Sequence, residues 1–87
     1  MASEDLIDET ILKLLAKAGS GKTLNPTDVA VELAGKDEKV WRKLMKPIKL
    51  SAMRLATREM IELTRHGKPV VVNELRGIYR IRARTVE

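Results

Sequence analysis

Cations are concentrated in the second half of this chain. Residues 41–87 carry twelve Lys or Arg and four Glu, a net charge of +8, whereas residues 1–40 carry five Lys and eight Asp or Glu, a net charge of −3. Lys and Arg side chains bind phosphate groups, and a concentration of them in one part of a domain is typical of proteins with a polyanionic partner. The same pattern also occurs on ordinary solvated surfaces, so charge alone does not decide the function.

Part of this charge falls on a predicted amphipathic helix. Apolar residues recur at spacings of three and four from Trp41 to Leu55, which indicates one buried stripe on a helix. Pro47 fixes its own φ and donates no backbone hydrogen bond, so it belongs in the first helical turn. The pattern therefore predicts a third helix at about residues 46–60, preceded by a turn over residues 40–45.

A hairpin is predicted to follow this helix. Apolar and polar residues alternate over about 61–65, which indicates a half-buried strand, and the run His66-Gly67-Lys68-Pro69 contains the Gly and Pro typical of a turn. At about 78–84, apolar side chains alternate with three arginines. We expect the apolar face of these strands to cover the helix, and Glu62 to neutralise one arginine across the strands.

The first half of the chain predicts two further helices and completes the fold. An apolar stripe over about residues 4–18, with Ser3 as N-cap, indicates the first helix. Asn25-Pro26 begins a second helix at about 26–34, and Thr23-Leu24 is long enough for a very short strand beside the hairpin. Three helices followed by a basic hairpin form a mostly α winged helix-turn-helix, and the 87 residues make one such domain.

The predicted outer face of the third helix mixes cations with apolar residues. Lys46 and Arg54 are expected there and suit phosphates or base edges. Leu50 and Met53 suit the methyl group of thymine, but they equally suit a protein partner or packing against another helix. With the hairpin, these positions give a predicted nucleic-acid-binding set: Lys46, Lys49, Arg54, Thr57, Arg58, Arg65, His66 and Lys68.

One segment resembles a phosphate-binding loop. Residues 16–23 have the sequence AKAGSGKT, a loose version of that motif with Ala in place of the first Gly. The chemistry requires a strand before the loop and a helix directly after it, so that backbone amides face the phosphates. Here the segment follows a helix, and the next helix starts only after Asn25-Pro26. We therefore expect a flexible loop and no nucleotide site.

The residues needed for most catalytic and metal chemistry are missing. The chain has no Cys, and His66 is its one histidine, so neither a zinc set nor a cysteine nucleophile can form. We expect no enzyme activity, no metal and no cofactor. The N-terminus is acidic and has no long apolar run, so we expect neither a signal peptide nor a membrane span, and a cytoplasmic location.

Short runs spread along the chain are similar to a known family pattern: Pro26-Thr27-Asp28-Val29-Ala30, Trp41 with Leu44-Met45, Arg54-Leu55, Ile61 through Gly67-Lys68-Pro69-Val70, Arg76-Gly77 and Arg80-Ile81-Arg82. On these runs, residues from about 5 to 83 resemble a small bacterial family of unknown function with winged-helix character. The resemblance implies a winged helix and no established activity. The chain departs from the pattern near Glu59 or Met60, where members carry a glycine, and at Lys46, where they carry a proline.

Two functions fit these features. The first is binding of double-stranded DNA by a small regulator, with the third helix in the major groove and the hairpin on the backbone or in the minor groove. Trp41 and Tyr79 are the only aromatic residues, which argues against a single-strand binder that stacks bases. The alternative is a docking surface for a protein partner or a second copy, formed by Leu50, Met53 and Val70–Val72.

Overall fold

The elements follow one another in the order of a winged helix-turn-helix. The computed structural model describes residues 4–19, 21–72 and 77–84, so the predicted N-cap Ser3 and the arginine of Arg76-Gly77 lie outside the described residues. The helices and strands are α1 (Glu4–Ala18), β1 (Thr23–Leu24), α2 (Pro26–Ala34), α3 (Glu38–Trp41), α4 (Met45–Thr57), β2 (Ile61–Arg65), β3 (Lys68–Pro69) and β4 (Arg80–Ala83). A 3₁₀ turn at Arg42–Leu44 links α3 and α4, and α4 corresponds to the predicted third helix.

The core lies where α1, α2 and α4 pack against one another and against one face of the sheet. Each helix contributes one apolar stripe and β2 and β4 contribute alternate side chains, as the two periodicities predict. The bounds predicted for the first two helices and for the strand at 61–65 are confirmed. The buried apolar side chains are Ile7, Ile11, Leu15, Leu24, Val29, Ala30, Ile48, Ala52, Leu55, Ile61, Leu63, Tyr79 and Ile81.

The described strands form one antiparallel sheet in the order β1-β4-β2-β3. The short strand at Thr23–Leu24 is confirmed and pairs with β4. Glu62 faces Arg82 across β2 and β4, and their side chains form an ion pair of 3.2 Å, as predicted. The predicted strand at 78–84 is shorter in the structure, because only Arg80–Ala83 have a partner on β2, and Ile78 is 83% exposed.

The turn predicted over residues 40–45 is wrong, because the chain is helical there. Asp37 begins α3 by accepting a hydrogen bond from the amide of Lys39 at 3.1 Å, and the 3₁₀ turn carries the chain into α4. Pro47 has no N–H to donate to the carbonyl four residues earlier, and its ring crowds that carbonyl, which favours the tighter turn before it. Trp41, which lies at the end of α3 and at the start of the predicted apolar stripe, is partly buried against the core.

The predicted third helix ends at Thr57 and not at residue 60, because Glu59 adopts a left-handed φ of 62°. The amide of Glu59 donates to the carbonyl of Ala56 at 3.0 Å. The amide of Met60 donates to the carbonyl of Leu55, also at 3.0 Å. These two bonds are the Schellman arrangement, in which glycine is the usual left-handed residue. The chain can then reverse directly into β2.

A two-residue turn joins β2 to β3. His66 has a φ of 54° and Gly67 a φ of 80°, so both central residues are left-handed, as a type I′ hairpin turn requires. Gly adopts this conformation freely, and His is among the few other residues that are enriched there. The turn predicted at 66–69 is therefore confirmed in place, although Lys68 and Pro69 already belong to β3.

Candidate nucleic-acid interface

The outer face of α4 carries a lysine, a leucine and a threonine. Lys46 and Thr57 are exposed, and Leu50 is 54% exposed although it lies in the middle of the helix. The hydroxyl of Thr57 donates to the carbonyl of Met53 at 2.8 Å, which leaves its oxygen free to accept. Met53, predicted on this face with packing against another helix as one alternative, is partly buried against the core. The outer face is therefore narrower than the sequence predicts.

Arg54 does not point away from the domain as predicted. Its Nη2 lies 2.7 Å from a carboxylate oxygen of Asp8 on α1 and 3.1 Å from the hydroxyl of Ser51. The side chains of Arg54 and Asp8 are only 28% and 17% exposed. The arginine turns toward α1 because a partly buried carboxylate attracts it more strongly than water does. The guanidinium of Arg54 is therefore paired within the domain.

Two positively charged side chains face each other in the hairpin. Arg65 and Lys68 are direct partners in the ladder of β2 and β3, and both are exposed. Like charges directly opposite in a hairpin are unfavourable, and an anion bound between them relieves the repulsion. No described carboxylate forms an ion pair with either of them or with exposed Arg80. Arg80 was absent from the predicted set, although the arginine face predicted for the last strand already included it.

Two clefts that share lining residues border the N-terminus of α4 and the hairpin. A cleft of about 350 Å³ is lined by Met45, the first residue of α4, together with Ile78 and Tyr79. The same two residues line a second cleft, of about 480 Å³, together with Arg65 and His66. Ile78 and Tyr79 therefore border both the start of α4 and the hairpin.

Other cations already have carboxylate partners. Arg42 pairs with Glu38 one turn earlier in the chain, and Arg84 lies 3.6 Å from Glu59. Arg82 is occupied by its pair with Glu62 across the sheet. The cations of the predicted set other than Arg54 form no ion pair with a described carboxylate: Lys46, Lys49, Arg58, Arg65 and Lys68. His66 is exposed in the turn among them.

Tyr79 is a buried phenol beside the clefts. It is 7% exposed, and its hydroxyl has no hydrogen-bond partner among the described residues. Burial raises the pKa of Tyr79 from 10.0 to about 12, because the phenolate loses its hydration in the core. The Tyr79 side chain therefore stays neutral and adds no charge to the two clefts that it lines.

The structure offers no metal centre in its described residues. No group of three or more His, Asp or Glu is placed to hold a metal ion among residues 4–19, 21–72 and 77–84. Nor do any of the described helices combine the length and apolar character needed to cross a membrane. The glycine-rich segment after α1 leads into the two-residue strand β1 and not into a helix, so the context of a phosphate loop is missing.

Comparison with known families decides the family of this chain and leaves its activity open. A family model described as "Protein of unknown function (DUF3253)" matches residues 4–84. The chain belongs to this family. No curated protein matches it. The family match covers every described helix and strand, so the α4 face and the hairpin lie within the region that family members share.

Proposed function

We propose that this domain of the DUF3253 family binds double-stranded DNA, with α4 in the major groove and the β2–β3 hairpin on the phosphate backbone. The observation that carries the proposal is the hairpin pair Arg65 and Lys68, two exposed cations that face each other without a described carboxylate partner. A phosphate between them removes an unfavourable contact that the free protein retains. Helix-turn-helix proteins place their second helix in the major groove.

The proposed contacts divide into two groups. Arg65, Lys68 and Arg80 meet phosphates, which position the protein but carry no sequence information. Lys46 and Lys49 on α4 approach the groove, where a lysine can donate to the acceptors of guanine or to a phosphate at the rim. This role suits a small bacterial regulator and a cytoplasmic location, where bacterial DNA lies. It requires no metal, cofactor or catalytic residue.

The test is duplex binding at two or more salt concentrations. Fluorescence anisotropy with a random-sequence duplex should show binding that weakens steeply with salt, because each phosphate contact releases a counterion. Arg65→Ala combined with Lys68→Ala should lower the slope of log K against log salt by about 2, one unit per lost phosphate contact. Neither side chain belongs to the core, so the fold should survive.

A matched control removes the same charge elsewhere. Lys13→Ala with Lys17→Ala changes two exposed lysines on α1, outside α4 and the hairpin, and should leave the slope unchanged. If both double variants lower the slope equally, binding depends on net charge and not on the hairpin. If the parent binds no duplex at low salt, the proposal is refuted.

The second candidate is a protein-docking surface, and its support is narrower than the sequence suggests. Leu50 and Val71 are 54% and 62% exposed, which favours an apolar contact. Met53, Val70 and Val72, which belong to the same predicted surface, pack against the core instead. A complex or dimer formed through this surface should tolerate salt and should be abolished by Leu50→Glu, whereas Arg65→Ala with Lys68→Ala should leave it intact. Size-exclusion chromatography of these variants separates this outcome from DNA binding.

A further inference from the structure

Leu50 is an apolar side chain exposed in the middle of the outer face of α4. It is 54% exposed, while the helix positions on the opposite side, such as Ile48 and Ala52, are fully buried. Lys46 lies one turn before it and Lys49 beside it, and no described carboxylate pairs with either lysine. An apolar side chain framed by free cations suits an anionic partner that carries a small apolar group on its surface.

Because Arg54 pairs with Asp8, the outer face of α4 lacks the type of side chain that most often recognises guanine. A bidentate arginine is the commonest specific contact to guanine in the major groove. Arg54 is the only arginine within α4, and its guanidinium is held 2.7 Å from Asp8. What remains on the outer face is a lysine, a leucine and a threonine. Of these, the leucine can make only apolar contacts.

We propose that α4 recognises thymine through Leu50, which would contact the C5-methyl groups in the major groove. That methyl group is the apolar group that a base pair offers there, and A·T and G·C pairs differ by it. The inference rests on the proposed DNA binding and adds the class of sequence that is preferred.

The test removes the C5-methyl group of thymine from the DNA. A short duplex of alternating A·T pairs is compared with the same duplex in which every thymine is replaced by deoxyuridine, which lacks only the methyl. The parent should bind the deoxyuridine duplex more weakly than the thymine duplex, by about fourfold for each methyl group that Leu50 covers. This factor is equivalent to about 0.8 kcal/mol per buried methyl or methylene group. Leu50→Ala should bind the two duplexes equally. Leu50→Met, which keeps an apolar side chain of similar size, should retain the difference.

The outcomes separate this inference from the proposal on which it rests. Equal binding of both duplexes by the parent would overturn thymine recognition and leave DNA binding intact. A preference that persists in Leu50→Ala would overturn the role of Leu50. If neither duplex is bound at low salt, the inference fails, and binding of the random-sequence duplex then decides whether DNA binding fails with it. Circular dichroism of each variant confirms the fold, which should be preserved because Leu50 lies outside the core.

Discussion

Replacing Glu59 by glycine should stabilise this domain. Glu59 has a φ of 62°, a left-handed conformation in which the Cβ of an L-residue crowds the following carbonyl. The Schellman hydrogen bonds at the end of α4 hold it there, with the amide of Met60 donating to Leu55 at 3.0 Å. The strain is therefore present in the native state and absent from most of the unfolded ensemble.

The size of the effect follows from three opposing contributions. Relief of the left-handed strain contributes about 1 to 2 kcal/mol. The greater flexibility of glycine in the unfolded chain costs about 0.5 to 1 kcal/mol. The pair with Arg84, at 3.6 Å between side chains that are 72% and 41% exposed, contributes at most a few tenths of a kcal/mol. Taken at the middle of each range, the net gain should be about 0.5 kcal/mol.

A thermal melt followed by circular dichroism measures this gain. For a domain of this size, 1 kcal/mol corresponds to roughly 4 to 8 °C in Tm, so Glu59→Gly should melt about 2 to 4 °C higher than the parent. Glu59→Ala is the control, since it removes the same carboxylate but keeps the Cβ, and its Tm should stay at or slightly below that of the parent. A Tm of Glu59→Gly no higher than that of Glu59→Ala would show that the left-handed residue is not strained.

Three further changes test the core, the buried phenol and the pair between α1 and α4. Leu55→Ala at a 2% exposed core position should cost about 2 to 5 kcal/mol, and a Tm within a few degrees of the parent would contradict this. Tyr79 ionises with a pKa of 10.0 in the unfolded chain and of about 12 in the folded protein. Between these two values ionisation stabilises only the unfolded state, so the free energy of unfolding should fall by about 1.4 kcal/mol by about pH 11. Tyr79→Phe should lack this loss in denaturant titrations at about pH 9 and about pH 11. A double-mutant cycle of Asp8→Ala and Arg54→Ala should give a coupling energy of about 1 kcal/mol, and a value near zero would mean that the pair is only incidental.

Local signals were sufficient for most of the elements. The apolar period of α1, the Asn25-Pro26 start of α2 and the alternation in β2 each depend on neighbouring residues along the chain, so the sequence predicts their bounds. The alternation at 78–84 likewise predicts a buried face with Tyr79 and Ile81 and an outer face with arginines. The charged hairpin, with its turn at His66-Gly67, was located by the same local rules.

Only the tertiary structure decided how the side chains of α4 are used. Helical periodicity placed Arg54 and Met53 on the outer face, but Asp8, which is 46 residues away in sequence from Arg54, draws the guanidinium to α1, and the core partly covers Met53. The left-handed Glu59 is also a tertiary result, because β2 must turn back at once to pack on α4, and a non-glycine residue is held there against its local preference. The sequence by itself therefore determined where most of the helices and strands form, but not the helical segment at Glu38–Leu44. Contacts between residues distant in the chain determined which cations remain free, because their partners are brought close only by folding.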